Sequence, residues 1–183
     1  MGLDGAPVAF SAQVHGAECR YAGSPGSVGD ADALWTDVPG LLLAIRTADC
    51  VPILVAGQGA VAAIHAGWRG LAAGVIASAV EGLSGRGPFR AVVGPSICVG
   101  CYEVGEEVVA GIARWVPEDR FVDRSGAKPH VDPGAAAVAQ LEAVGISSVD
   151  RVGICTQCDD RLWSHRQEGP VAGRQVGVIG LVC

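Results

Sequence analysis

Nothing in this chain limits its architecture more than the five apolar residues Ala60-Val61-Ala62-Ala63-Ile64 and the polar turn directly behind them. A run of that kind with no polar alternation reads as a buried strand, and residues 71–83 beyond the turn read as a helix. Between the two lies His65-Ala66-Gly67-Trp68-Arg69-Gly70, so a histidine, a tryptophan and an arginine crowd a glycine-bracketed turn from strand to helix. Backbone N–H groups at a helix start face outward and favour an anion. The turn therefore has the layout of a site rather than of a core.

The same alternation runs through the chain. Residues 8–14, 41–45, 51–56, 61–64, 91–93, 152–155 and 176–182 read as strands, and residues 71–83, 106–115 and 134–144 as helices, the last ended by Gly145. Residues 23–29 and 117–133 read as exposed loops, and no internal repeat is present. This is the pattern of a mixed α/β (α+β) domain with alanine-rich helices packed closely on sheet. At 183 residues and 50% hydrophobic content, one domain over residues 1–183 suffices to bury a core without metals or disulfides as staples.

A net charge of −6 repels phosphate backbones over most of the surface, which excludes general nucleic-acid binding but leaves room for a local arginine pocket. No apolar run reaches membrane-spanning length, so no membrane partner is expected. The opening Met1-Gly2-Leu3-Asp4-Gly5-Ala6 lacks the cationic start and apolar stretch of a leader, which makes the cytoplasm the expectation. Seven cysteines, at positions 19, 50, 98, 101, 155, 158 and 183, are an odd number, and reduced thiols or metal ligands suit them better than a disulfide framework.

Polar residues interrupt apolar runs at three places: Gln13-Val14-His15-Gly16, Thr47-Ala48-Asp49-Cys50 and the His65 turn. Imidazole and thiolate both bind zinc or copper, and two histidines with one cysteine leave a fourth tetrahedral position for water or substrate. The separations, 35 residues from 15 to 50 and 15 residues from 50 to 65, match no local metal motif. On residues alone a buried thiol and two hydrogen-bonded histidines compete with a His15, Cys50, His65 centre. Cys98-Val99-Gly100-Cys101 and Cys155-Thr156-Gln157-Cys158 form the stronger local signal, a pattern that can build a closed structural zinc site. The gap between these pairs far exceeds that of a zinc ribbon, and neither pair opens a helix as a thioredoxin-like redox motif would.

Taken in order, Gln13-Val14-His15-Gly16, Pro39-Gly40, Thr47-Ala48-Asp49-Cys50-Val51-Pro52, His65-Ala66-Gly67-Trp68-Arg69-Gly70, Gly94-Pro95-Ser96-Ile97, Cys101-Tyr102-Glu103-Val104-Gly105, Cys155-Thr156 and Gly173-Arg174 resemble the laccase-domain family. That family was long known as multicopper polyphenol oxidases and was later described as purine nucleoside phosphorylases with adenosine deaminase activity. The resemblance runs from about Phe10 to the C-terminus. It implies a layered αββα-type sandwich with a mixed β-sheet rather than a Rossmann sheet. It implies a metal site at His15, Cys50 and His65, zinc most often and copper in members named as oxidases, and it gives no metal role to the paired cysteines. The implied chemistry is phosphorolysis of adenosine, inosine, guanosine and methylthioadenosine, with hydrolytic deamination of adenosine. Purine nucleoside and phosphate are then the partners, and assembly as a homo-oligomer is left open.

Two departures stand out. Family members open with a segment carrying Thr-Arg-x-Gly-Gly and Asn-Leu-Gly motifs, whereas this chain begins just ahead of His15, so a short N-terminus relative to the family is expected. Trp163-Ser164-His165-Arg166 stands where the family usually has an aromatic residue and then two arginines, which weakens an anion role there.

The implied chemistry suggests roles for particular residues. Deamination calls for a metal-activated water at C6 of the purine. Phosphorolysis calls for arginine and helix N–H groups, with Arg69 the leading phosphate residue and Arg46 and Arg174 behind it. Asp49 orients a ligand imidazole or shuttles a proton, against a plain turn-fixing aspartate. Trp68 stacks on the purine or covers core, and Tyr102 and Glu103 meet ribose hydroxyls or form a satisfied buried pair. His130 reads as a surface residue and His165 as a loop side chain. Three other functions compete: a copper phenol oxidase, a non-catalytic zinc-binding protein, and a thiol hydrolase with Cys50 as nucleophile and His65 as base. A single three-ligand site falls short of the several coppers that four-electron oxygen reduction needs.

Overall fold

The central strands track the apolar runs. The computed structural model describes residues 5–182; residues 1–4 of the stretch read for a leader, and Cys183, lie outside the described residues. The strands are β1 (Val8–Ala12), β2 (Cys19–Tyr21), β3 (Gly26–Asp30), β4 (Ala33–Thr36), β5 (Leu42–Thr47), β6 (Val51–Gly57), β7 (Ala60–Ala66), β8 (Arg90–Val93), β9 (Val122–Asp123), β10 (His130–Val131), β11 (Ser148–Arg151) and β12 (Gln175–Gly180). The helices are α1 (Trp68–Ala73), α2 (Val75–Gly82), α3 (Glu106–Ile112), α4 (Pro133–Ala143) and α5 (His165–Glu168).

Two mixed sheets stack. One has the order β11-β8-β6-β7-β4-β2, the other β12-β5-β1-β3, and β9 and β10 form a separate ribbon. The lack of polar alternation in β7 has a simple cause, since all seven of its residues are buried. Ala62, Ile64 and Ala66 face the helices, packing with Leu71, Val75, Ile76, Val109, Ile112, Ala137 and Leu141. Val61 and Ala63 face the second sheet and pack with Ala9, Leu43 and Ile45. Side chains alternate across a strand, so His65 shares the side of Val61 and Ala63 and emerges where the two sheets meet. Helices, larger sheet and smaller sheet thus form a layered mixed α/β domain, as expected. The far face of the smaller sheet carries the exposed Phe10 between the buried Ala9 and Ser11. No helix among the described residues is long and apolar enough to cross a membrane.

Several boundaries differ from the sequence reading. The helix expected over residues 71–83 breaks at Gly74, whose φ of 87° ends α1 after six residues and starts α2. A Cβ at Gly74 would stand 2.4 Å from Trp115 Cζ2, so the break is fixed by packing. The loop expected over residues 23–29 contains β3, a glycine-rich strand whose partner is β1. The loop over residues 117–133 contains the β9–β10 ribbon. The strand expected at residues 152–155 lies earlier, at Ser148–Arg151, a polar edge strand that needs no apolar run. Helix α4 starts where Asp132 caps it, its Oδ1 accepting the Ala135 N–H at 2.8 Å.

Candidate metal centre

Three loop ends meet where the sheets diverge. His15 comes after β1, Cys50 precedes β6 and His65 lies near the end of β7, so the antiparallel β6–β7 pair brings the last two together. Their donor atoms all lie within 4.8 Å of one another, and the two imidazoles meet edge to face with centroids 4.8 Å apart.

Asp32 builds this arrangement. It is fully buried, and its carboxylate accepts the N–H groups of Val14 at 3.2 Å, His15 at 2.9 Å and Gly16 at 2.6 Å. These bonds stabilise the left-handed φ of 61° at His15, unusual for a residue with a side chain. The same carboxylate lies 2.7 Å from His65 Nδ1, while its backbone oxygen accepts the His65 N–H at 2.7 Å. A carboxylate at Nδ1 holds the proton there and leaves the Nε2 lone pair for a cation. The sequence reading missed Asp32; its only signal is one acid between the buried Ala31 and Ala33.

The donors share charge with one another. Burial pushes the Cys50 thiol up, but hydrogen bonds and charge from His15 and His65 outweigh it and bring the group down to about 7. Burial works against the charged form of His65 as well, yet Asp32 and Cys50 raise it to about 9. A Cβ at Gly67 would stand 3.0 Å from His15 Cδ2 and 3.1 Å from Cys50 Sγ, so the glycine leaves room for the donors. Two imidazoles and a thiolate in mutual reach, one imidazole locked from behind, fit a tetrahedral ion with one position left over.

Two clefts share this wall. The first, of about 280 Å³, is lined by His15, Asp49, Cys50, Trp68, Arg69 and Tyr102, among others. The second, of about 490 Å³, is lined by Gln13, His15, Arg46, Cys50, His65 and Arg174, among others. Arg69 holds its guanidinium over the Trp68 ring, 4.5 Å from the centroid. Arg174 donates to the carbonyl oxygens of Ala172 and Gly173. The backbone of Arg46 pairs with the Gln13 amide, its N–H donating at 2.9 Å and its oxygen accepting at 2.7 Å.

Other expectations need correction. The position behind the His65 imidazole belongs to Asp32, not Asp49. At φ of 80°, Asp49 accepts the Thr156 hydroxyl at 2.6 Å and the Arg166 N–H at 2.6 Å. Glu103 lines neither cleft; its carboxylate pairs with Lys128 at 2.9 Å, and it forms no buried pair with Tyr102. His165, read as a plain loop side chain, begins α5 and lines both clefts. Arg166 stacks 5.0 Å from the Tyr102 centroid and so stays beside the first cleft. The six-residue α1 carries little of the field expected from a long helix, which leaves the arginines as the main cationic groups. The paired cysteines converge in a second cluster.

A family model described as multi-copper polyphenol oxidoreductase laccase matches residues 1–182. A protein of Deinococcus radiodurans named purine nucleoside phosphorylase is 39% identical over 180 residues, covering 92% of this chain and 68% of that protein. One named adenosine deaminase RL5, from an unknown prokaryotic organism, is 37% identical over 155 residues, covering 78% of this chain and 59% of that protein. The crystal structure of YlmD from Geobacillus stearothermophilus superposes with a TM-score of 0.90 at 29% identity, covering 97% of this chain and 74% of that one.

Proposed function

The chain belongs to the multi-copper polyphenol oxidoreductase laccase family, and from that premise we propose that it is a zinc-dependent enzyme of purine nucleosides, performing phosphorolysis and hydrolytic deamination of adenosine. Inosine, guanosine and methylthioadenosine are further phosphorolysis substrates in this reading. One observation carries it: an open set of two imidazoles and one thiol within 4.8 Å, forming the wall between two arginine-bearing clefts. The names of its relatives, purine nucleoside phosphorylase and adenosine deaminase, support the substrate class.

His15, Cys50 and His65 would hold the ion, and a zinc ion there would supply Lewis-acid chemistry at the position the protein leaves open. Asp32 keeps the His65 imidazole in the tautomer that serves it. Trp68 and Tyr102 offer faces to the purine. Arg69, held over Trp68, grips the phosphate, and Arg46 and Arg174 make the second cleft attractive to the same anion. In phosphorolysis a phosphate oxygen bonds to the anomeric carbon, the bond from that carbon to the base breaks, and the base leaves with a proton. Holding phosphate and nucleoside in line is most of that task. In deamination water replaces the C6 amino group and ammonia leaves. His165, facing both clefts, holds and passes the proton, while Asp49 fixes the start of α5 that carries it.

The test is chromatography of zinc-loaded protein incubated with adenosine. Adenine should appear with phosphate and inosine without it, and dialysis against a chelator should abolish both. Arg69→Ala should raise the KM for phosphate about 10- to 100-fold, the worth of one charged hydrogen bond, with deamination spared. Absence of both products from zinc-loaded protein refutes the reading. Oxygen uptake with a phenol at stoichiometric copper would replace it with oxidase chemistry.

A further inference from the structure

Four cysteines outside the His15, Cys50, His65 centre converge on one point. Cys98 and Cys101 bracket a tight turn at Val99–Cys101, and Cys155 and Cys158 bracket a second turn beyond β11. All four Sγ atoms lie within 4.8 Å of one another, Cys101 Sγ to Cys158 Sγ at 3.4 Å, and none is in a disulfide. An ion with zinc–sulfur bonds of about 2.3 Å sets tetrahedral sulfurs roughly 3.8 Å apart, so small adjustments bring the cluster onto an ion.

Backbone pairing registers the two turns. Ser96 and Cys155 form a parallel bridge, with the Ser96 N–H on the Ile154 oxygen at 3.2 Å and the Thr156 N–H on the Ser96 oxygen at 3.1 Å. Cys98 N–H points at Cys155 Sγ at 3.3 Å. With four protein donors no position is left for a reactant, and such closed sites are structural.

We propose that Cys98, Cys101, Cys155 and Cys158 bind a second ion, a structural zinc held by four thiolates, that clamps the loop beyond β11 onto the segment after β8. Binding releases the thiol protons and changes no oxidation state. The clamp bears on the first centre through Asp49. Thr156, next to Cys155, donates its hydroxyl to the Asp49 carboxylate at 2.6 Å, and Ile97, next to Cys98, donates its N–H to the Asp49 backbone oxygen at 3.1 Å. Asp49 immediately precedes Cys50, so both grips end one residue from a donor of the other site.

Zinc analysis of reduced, zinc-equilibrated and dialysed protein tests this. Wild type should hold two ions per chain, Cys50→Ala one, and the double variant Cys101→Ser/Cys158→Ser one. Cobalt(II) gives a second readout that does not depend on the double variant folding. Cobalt-loaded Cys50→Ala lacks the thiolate of the first site, so it should still show intense thiolate-to-cobalt charge transfer and tetrahedral bands. A wild-type stoichiometry of one ion with none in Cys50→Ala overturns the proposal, as does a Cys50→Ala cobalt spectrum without thiolate bands. Since Cys50→Ala disables the first centre and spares the second, failure of the nucleoside reading and failure of this one are told apart.

Discussion

Replacing Asp32 by asparagine probes the piece of architecture on which the first centre depends. The carboxylate meets four donors: Val14 and Gly16 N–H on Oδ2, His15 N–H and His65 Nδ1 on Oδ1. An asparagine of the same shape must set its NH2 against one of those pairs. If it faces Val14 and Gly16, two N–H groups lose their acceptor and the His15 loop loosens. If it faces His15 and His65, Nδ1 must become the acceptor, and the imidazole proton moves to Nε2, where a metal would bind. Either way two charge-assisted bonds are lost, at about 1.5–3 kcal/mol each. Relief of the buried carboxylate's desolvation offsets part of this, leaving a net loss of about 3 kcal/mol. For a chain of this length that is a melting temperature lower by about 6–12 °C. Zinc affinity should fall about 10- to 100-fold, as when a carboxylate behind a ligand imidazole is removed. Thermal unfolding of the metal-free variant and competition with a chromophoric chelator measure the two effects. Unchanged stability would refute the hydrogen-bond accounting, and lowered stability with wild-type zinc affinity would refute the imidazole-orienting role.

Other perturbations rest on the same geometry. Gly67→Ala brings a methyl to 3.0 Å from His15 and 3.1 Å from Cys50 at a φ of −71° that alanine accepts, so zinc titration should show affinity at least about tenfold weaker with the fold intact. Gly74→Ala forces both a φ of 87° and a clash with Trp115, and denaturant unfolding should register a loss of about 1–3 kcal/mol. Asp37, which accepts from Tyr21 Oη at 2.9 Å and Arg86 at 2.7 Å, is held below the usual carboxylate range by those bonds. Its folded pKa is depressed, so its stabilisation is present at neutral pH and disappears as pH falls through that depressed value. The melting-temperature gap between wild type and Asp37→Asn should therefore close as pH falls below about 4, and a constant gap would disprove the assignment.

What the sequence disclosed depends on how local its cause is. Strands β5, β6 and β7 were readable because their burial is written in consecutive apolar residues. The break at Gly74 was not, because its reason is Trp115, a residue from another part of the chain. Strands β2 and β3 were missed because exposed or glycine-rich edges carry no apolar pattern. The His15, Cys50, His65 set has no local spacing, and it emerged only through the ordered motifs of the family. Asp32 gave no warning, since its partners are three backbone N–H groups and an imidazole from separate segments. Conversely the paired cysteines were visible locally, yet the closeness of the two pairs rests on the Ser96–Cys155 bridge, which no spacing rule reveals.

Strand β7 has no spare side. Every apolar side chain along it presses either on a helix or on the neighbouring sheet, and most of them are alanines. An added methylene therefore has nowhere to go unless a residue across the layer shrinks, and the layer concerned switches at each step along the strand. Randomising Ala60–Ala66 with His65 kept should consequently yield survivors as matched pairs, one change in the strand and one opposite it, with the compensating partner alternating between the two packing surfaces.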